Sequence, residues 1–261
     1  MKTRFLCAAA LVCLFASPAF AFNFFELEVY PYQTEGKGVA ELEWLQSVVP
    51  KGHTQADEGA FATDSIYRSS FEFTYGLTER IEAAAYLDIA HPNGHSLEYA
   101  GSRFRLRGSL FEKGQLPIDL GWYAELEWRR VPEFSENELE VELRPIIERD
   151  LARFTIVLNP IFEKALSGPD DNKSFEFNYA AKVLYRWKPE LSPSIEFYGD
   201  VGRITDTDPL RDQQHYIGPV IDTLLPGGLR LSVGPLLGLT RAADQILVKF
   251  NLEYEWFIGP G

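Results

Sequence analysis

Charged side chains at every second position are the feature of this sequence that could do chemistry. Between Glu138 and Arg144 the chain reads E-L-E-V-E-L-R, so ionisable residues alternate with aliphatic ones. Successive side chains of a β-strand point to opposite faces, and this stretch therefore has one ionic face and one apolar face. An ionic face that lines a water-filled pore could select ions, whereas one that is shut away from water would form salt bridges.

The same alternation recurs in other segments and defines a set of candidate residues. We expect these side chains to face the interior of a barrel, where both charge signs can pair or meet water. The main role that we expect is a structural ion-pair network, and the second is a constriction that selects ions. If water fills the interior, the acidic excess predicts a preference for cations. The candidate lumen residues are Arg103, Arg105, Arg107, Glu125, Glu127, Arg129, Glu138, Glu140, Glu142, Arg144, Glu176, Lys182, Arg186, Lys249, Glu253 and Glu255.

Signals for other chemistry are weak. His91 and His95 occur in H-P-N-G-H, where Pro92 and Gly94 indicate a turn without fixed ligand geometry. The acidic segment 168–173, G-P-D-D-N-K, lacks the full pattern of a calcium loop. No G-x-S-x-G motif occurs. We therefore expect no metal, no cofactor and no catalytic residues.

The first residues predict export. Lys2 and Arg4 precede an apolar run over 5–15, and Ala19-Phe20-Ala21 supplies the small residues that a signal peptidase needs. This pattern predicts a Sec signal peptide over residues 1–21, cleaved after Ala21. The apolar run is too short for a comfortable transmembrane helix.

Composition excludes several classes of protein. The chain has 261 residues, with 38 Asp and Glu against 25 Lys and Arg, and a formal net charge of -13. Because phosphate binding needs the opposite sign, nucleic acid is not an expected partner. Both cysteines, Cys7 and Cys13, lie in the predicted signal peptide, so the processed chain has no thiol chemistry. No apolar run after residue 21 approaches the roughly twenty residues of a spanning helix.

A period-2 pattern predicts about twelve strands after residue 38. Short turns such as G-L-T-E at 76–79 alternate with longer polar connections such as 50–65, as in outer-membrane barrels. The predicted strands are 39–49, 66–75, 80–89, 97–110, 117–131, one around 138–144, 152–164, 174–187, 193–203, 214–225, 229–240 and 245–257.

The residues before the first predicted strand alternate as well. Glu26, Glu28 and Tyr30 occupy every second position of 23–32. A thirteenth strand would break the even strand number that places both chain ends on the short-turn side. We therefore divide the chain into the signal peptide, an N-terminal arm or partial strand at 22–37, and a barrel domain at 38–261.

The apolar faces carry the evidence for a membrane. They are rich in aromatic residues that gather near segment ends, as at Trp44, Trp128, Trp187 and Trp256, which is the girdle pattern of membrane interfaces. An arginine near the midplane of the lipid face costs about 2–4 kcal/mol, so the arginines of 97–110 must face inward. We predict a closed antiparallel up-and-down transmembrane β-barrel in the outer membrane of a Gram-negative bacterium. Its expected partners are outer-membrane lipid, and the barrel-assembly machinery and periplasmic chaperones during biogenesis.

One hairpin resembles a known family. The run S-F-E-F-T-Y-G-L-T-E-R-I-E-A-A-A-Y-L at 70–87 is similar to the "YGLTDRLE" hairpin of exported barrels assigned to a phenol-degradation pathway, the MetA-like channels. The resemblance implies a small outer-membrane channel that passes small hydrophobic or charged solutes, and it implies no catalytic residues. Many such barrels end on an aromatic residue, whereas Phe257 is followed here by I-G-P-G.

The function that we predict is a narrow outer-membrane channel or transporter for small solutes with a net acidic lumen. One alternative is a sealed structural barrel whose lumen is filled by ion pairs. A second is a barrel enzyme acting on lipid, which a serine-histidine pair at the outer rim would favour. A third is a soluble periplasmic sandwich, which also has many alternating strands.

Overall fold

The chain forms a single antiparallel β-barrel. A computed structural model describes residues 23–55, 60–188 and 190–258. The predicted signal peptide and its two cysteines lie outside the described residues. Twelve long strands carry the barrel, and the two-residue β10 extends one hairpin. The strands are β1 (Val39–Lys51), β2 (Tyr67–Thr78), β3 (Ile81–His91), β4 (Glu98–Ser109), β5 (Asp119–Arg129), β6 (Leu139–Leu151), β7 (Phe154–Ser167), β8 (Glu176–Tyr185), β9 (Leu191–Arg203), β10 (Asp206–Thr207), β11 (Gln214–Leu224), β12 (Arg230–Gly238) and β13 (Ile246–Phe257).

The barrel closes through its first and last strands. β1 pairs antiparallel with β13, with Glu41 opposite Glu255 and Ser47 opposite Lys249. Every other pairing of long strands joins neighbours along the chain, including β8 with β9 and β9 with β11. Closure leaves no free edge between the long strands, so their backbone groups are paired within the sheet. The predicted twelve-stranded up-and-down barrel is confirmed.

Large apolar side chains lie outside the barrel and charged ones lie inside. Leu42, Phe73 and Phe104 are 49%, 44% and 56% exposed, whereas Glu72 and Arg103 are 1% exposed. A water-soluble sandwich would bury the first group and expose the second, so that alternative is wrong. The described part of the chain contains no helix that is long and apolar enough to cross a membrane.

The segment before β1 enters the barrel. Residues 23–36 form no strand, yet Phe24, Leu27, Val29 and Tyr30 are each less than 9% exposed. The segment leaves the barrel beside β2, where Gly38 N donates to Gly76 O at 2.9 Å. A Cβ at Gly76 would collide with the carbonyl of Gly36, so only glycine admits the segment this close. We call residues 23–37 the plug.

Candidate lumen site

Side chains of the barrel wall hold the plug backbone. The Tyr30 N–H donates to Asn159 Oδ1 at 2.8 Å, and Asn159 Nδ2 donates to the Tyr30 carbonyl at 3.1 Å. The Tyr32 N–H donates to Glu148 Oε2 at 2.9 Å. A closed barrel has no edge at which a thirteenth strand could pair, so polar side chains supply the hydrogen bonds that a neighbouring strand would have given.

The apolar side of the plug packs against one half of the lumen wall. Phe24, Leu27 and Val29 form one buried cluster with inward-facing residues of β7 to β13. The strand residues of this cluster are Val49 of β1 and, on β7 to β13, Val157, Ile161, Ala180, Tyr198, Tyr216, Val220, Leu236 and Leu247. Part of the inner wall of the barrel is therefore apolar, which the strand pattern did not predict.

The ionic side of the plug meets the other half of the wall. Glu26 forms an ion pair with Arg103 and a second with Arg144 at 3.5 Å, and it accepts a hydrogen bond from the Tyr123 hydroxyl at 3.3 Å. Its side chain is fully shielded from solvent. Glu26 thus faces the paired arginines of β4 and β6, while Leu27 and Val29 of the plug face apolar side chains of the wall.

Tyr30 is surrounded by cations. The guanidinium carbons of Arg105, Arg107 and Arg144 lie 4.8, 4.9 and 5.1 Å from the centre of its ring. Its hydroxyl forms a hydrogen bond with that of Tyr86 at 3.0 Å. Cation–π contacts of this kind strengthen when they are removed from water, as they are here.

The buried arginines of β4 to β6 are matched by carboxylates. Arg103 Nε lies 3.0 Å from Asp88, Arg105 lies 2.7 Å from Glu82, and Arg107 Nε also lies 2.7 Å from Glu82. Further pairs join Arg105 to Glu72 at 2.8 Å, Arg144 to Glu142 at 2.7 Å, and Arg129 to Glu127. Buried charges are costly unless they are paired in this way, and several of these groups have more than one partner.

A second ionic group joins the opposite wall to the plug. Glu196 forms an ion pair with Lys182 at 2.9 Å and accepts a hydrogen bond from Lys249 at 3.0 Å. Lys249 also lies 3.6 Å from Glu28 of the plug, and Lys182 lies 3.4 Å from Asp222. These contacts bring together two of the predicted lysines that are far apart in sequence.

The predicted residues do not all lie in the lumen network. Glu138 precedes β6, and its side chain is exposed. Arg186 lies in the turn after β8, where it pairs with Asp150 rather than with the lumen network. Glu176 is the first residue of β8, next to the longer loops, and lies 3.4 Å from Arg203. Arg230 lies 3.5 Å from Glu253 and 2.9 Å from Glu255 near the opposite opening. The remaining predicted residues belong to the ionic groups described above, with Glu140 3.7 Å from Arg129 and Glu125 3.3 Å from Arg103.

Sequence reasoning missed several residues of the site. Glu26, Glu28 and Tyr30 were visible as an alternating segment, but nothing local indicates that this segment enters the lumen. Glu41, Glu43, Glu72, Glu82, Asp88, Glu163 and Glu196 share the alternation that selected the other candidates, and extending the same rule to every strand would have found them.

Carboxylates crowd together in the described lumen. Three groups of three glutamates each bring one carboxylate oxygen per residue within 4.8 Å of the other two. The groups are Glu41, Glu43 and Glu72; Glu125, Glu127 and Glu142; and Glu35, Glu41 and Glu255. In the plug, burial raises the pKa of Glu35 to about 7, and the carboxylates of Glu255 and Glu82 add to the effect. Carboxylate oxygens are ligands for hard cations.

Three cavities among the described residues follow the plug through the barrel. A cavity of about 730 Å³ opens at the short-turn end and reaches Glu28, and a second of about 10 Å³ extends from Glu28 to Asn23. A third of about 40 Å³ extends from Asn23 to the residues of the longer loops. Roughly 10–15 Å³ is needed to hold one water molecule, so the middle cavity, which is the smallest of the three, holds about one. We call it the constriction. Its charged lining residues are Glu26, Glu28, Glu142, Arg144 and Glu163.

Hydrogen bonds of the described histidines do not indicate a hydrolase. His215 bonds to the Tyr179 hydroxyl at 3.0 Å and to Gln213 Oε1 at 2.8 Å, and His53 bonds to the Ala242 carbonyl at 3.1 Å. None of the hydrogen bonds found in the described residues joins a serine hydroxyl to a histidine. The serine-histidine pair that would favour an enzyme is thus not formed there.

Comparison with known proteins supports the fold. The chain matches no protein-family model, and no protein of curated function matches it in sequence. Its fold is similar to that of the COG4313 outer membrane channel from Pseudomonas putida F1, with a TM-score of 0.60 and 10% identity over 88% of this chain and 100% of that one. It is also similar to the KdgM porin in complex with disordered oligogalacturonate, with a TM-score of 0.55 and 7% identity over 82% of this chain and 98% of that one. The specific MetA-like family stays a prediction.

Proposed function

We propose that this chain is an outer-membrane channel for small solutes, with a preference for cations. The apolar exterior of the barrel supports the location, because exposed side chains such as Phe104 and Leu106 have no other described structure to cover them. The fold is one that outer-membrane channels and porins use. The solute bound by the KdgM porin belongs to that protein, and we transfer only the general activity of a channel.

The lining of the constriction carries the proposal. The middle cavity is lined by four carboxyl groups and the guanidinium of Arg144. Glu26 and Glu142 are paired with arginines and Glu28 lies 3.6 Å from Lys249. Glu163, which has no ion pair with a described residue, therefore supplies the negative excess when it is ionised. Charge of one sign at a narrow point attracts counter-ions and repels ions of like sign. A site of about 10 Å³ passes solutes of the size of water or a bare ion, so larger solutes require the plug to move.

A planar-bilayer recording of the detergent-purified protein under a salt gradient tests this proposal. We expect unitary current steps and a reversal potential on the cation side. Over a rising pH series, Glu163→Gln should move that potential towards zero once the Glu163 carboxyl of the parent protein is ionised, because Glu163 lines the constriction and forms no ion pair with a described residue. Glu112→Gln is the matched control, since Glu112 lies in a turn with its side chain 78% exposed. Anion selectivity, or equal potentials in the two variants, would refute the proposed selectivity.

A sealed structural barrel is the second candidate, and the dense buried ion pairs of β4 to β6 favour it. In that case the protein inserts into vesicles, as judged by its heat-modifiable migration, but passes no current. Deleting residues 23–34 separates the two functions. A channel restricted by the plug gains conductance on this deletion, whereas a barrel sealed by its own wall stays closed.

A further inference from the structure

Arg68 is a buried cation that has no carboxylate partner among the described residues. It faces inward from β2 and is 6% exposed. Each of the other buried arginines among the described residues forms an ion pair; these are Arg103, Arg105, Arg107 and Arg144. Arg68 forms none there, and its Nη1 is buried without a hydrogen-bond acceptor. A buried charge that lacks a partner is costly, so the position calls for an anion.

The ring of Phe24 compensates Arg68 only in part. The guanidinium carbon lies 5.0 Å from the centre of that ring. The negative charge of Asp244 also stabilises the Arg68 cation from a distance. The Asp244 carboxylate, however, accepts a hydrogen bond from the Thr63 hydroxyl and makes no ion pair with Arg68. A cation–π contact contributes less than a charge-assisted hydrogen bond to an anion.

Arg68 lines the 40 Å³ cavity beneath the longer loops. Four phenylalanines wall this cavity. Phe24 and Phe25 come from the plug, and Phe61 and Phe134 come from two loops. The Phe134 ring lies 5.4 Å from that of Phe25 and 5.0 Å from that of Phe61. The cavity thus combines one unpaired cation with an apolar enclosure at the junction of plug and loops.

We propose that this cavity binds a small monocarboxylate, with its carboxylate on Arg68 and its hydrocarbon part against the phenylalanines. Its volume holds about three water molecules, which is close to the size of propionate. Glu133 and Glu140 also line the cavity and disfavour a second negative charge. The second cationic residue of the lining, Arg129, is already paired with Glu127. The site is independent of the proposed conduction, since binding requires no current.

Calorimetric titration of the full-length processed protein with sodium propionate, at constant ionic strength in chloride, tests the site. We expect saturable binding at one site and weaker binding of the dianion malonate. Arg68→Gln should weaken propionate binding at least about tenfold, because it removes a charged hydrogen-bond donor. Arg80→Gln is the matched control, because it makes the same charge change at an exposed ion pair with Glu112 and should leave affinity unchanged.

A second variant keeps the test decisive if Arg68→Gln does not fold. Phe134→Ala retains the cation and enlarges the apolar cavity, so it should weaken propionate severalfold and allow benzoate to bind. The proposal fails if the wild-type protein does not bind propionate, if Arg68→Gln binds it as tightly as Arg80→Gln does, or if Phe134→Ala changes neither affinity. Binding of malonate as tight as that of propionate would overturn the assignment to a monoanion.

Discussion

Glu26 is the residue on which seating of the plug depends most strongly. Replacing it with glutamine removes the negative charge shared by Arg103 and Arg144 and retains the shape of the side chain. Hydrogen bonds to charged groups contribute about 1.5–3 kcal/mol. Arg103 keeps Asp88 and Arg144 keeps Glu142, so neither arginine loses all its partners. We therefore expect a loss near the lower part of that range, about 2 kcal/mol, which corresponds to roughly a thirtyfold rise in the unseated fraction.

A single cysteine in the plug measures this fraction. The predicted processed chain has no thiol, and Val29 is 1% exposed, so the thiol of a Val29→Cys variant should react slowly with a membrane-impermeant maleimide. The labelling rate follows the unseated fraction when reseating is faster than labelling. Adding Glu26→Gln to this background should raise the rate roughly thirtyfold.

Glu28→Gln is the matched control for that experiment. Glu28 lies two positions along the same segment, is 16% exposed and lies 3.6 Å from one cation, Lys249. Its replacement should raise the labelling rate only severalfold, because weaker and more exposed pairs contribute about 1 kcal/mol or less. Equal rates for Glu26→Gln and Glu28→Gln would refute the view that the buried ion pairs of Glu26 hold the plug.

Three further predictions use the same structure. In the Val29→Cys background, Tyr30→Phe should raise the labelling rate by about tenfold or less. It removes one hydrogen bond to Tyr86, worth about 1 kcal/mol, but keeps the ring beside its arginines. No change in the rate would contradict a role for that hydrogen bond. Phe104 lies in the middle of β4, so Phe104→Arg should destabilise the barrel by about 2–4 kcal/mol in vesicle refolding. Leu110→Arg, in the turn that follows β4, should cost about 1 kcal/mol or less. Equal losses of stability would argue against a lipid-facing Phe104. Glu35 has a pKa of about 7 in the seated plug against its ordinary value of 4.5, so its contribution to seating is fully present below about pH 4.5 and is lost as the pH rises through about 7. When each rate is divided by that of a free thiol at the same pH, labelling of the Val29→Cys variant should therefore be faster at pH 8 than at pH 5.5. Adding Glu35→Gln should reduce this difference, and an unchanged pH profile would exclude Glu35 as its source.

The two faces of the plug match the internal asymmetry of the barrel wall. Strands β4 to β6 present paired arginines, and they face Glu26 and Tyr30, whereas apolar side chains of β7 to β13 face Leu27 and Val29. Turning the segment over would separate Glu26 from its arginines and bury it against these apolar residues, which is costly.

Sequence alone predicted most of the fold because the period of a strand is local. Alternation between successive residues of a strand is enough to put Leu139, Val141 and Leu143 on one face. The arginines of 97–110 then show which face meets lipid, because arginine on the lipid face is costly. The same rule placed Arg103, Arg105 and Arg107 inside the barrel, where the structure has them. It also selected Glu138 and Arg186, which lie beyond the ends of their strands, because the pattern does not specify where a strand ends.

The position of the plug and the choice of ion-pair partners depended on tertiary structure. Glu26 meets Arg103 and Arg144 across long separations in the chain, 77 residues in the case of Arg103, and no local pattern relates such positions. The strand-like alternation of Glu26, Glu28 and Tyr30 was plain in the sequence, but pairing of β1 with β13 removed the edge on which a further strand could form. The alternation instead places Glu26 against arginines of β4 and β6, and Leu27 and Val29 against apolar side chains of the wall. Strand faces follow from neighbours in the chain, whereas the contents of a lumen follow from which strands closure brings opposite one another.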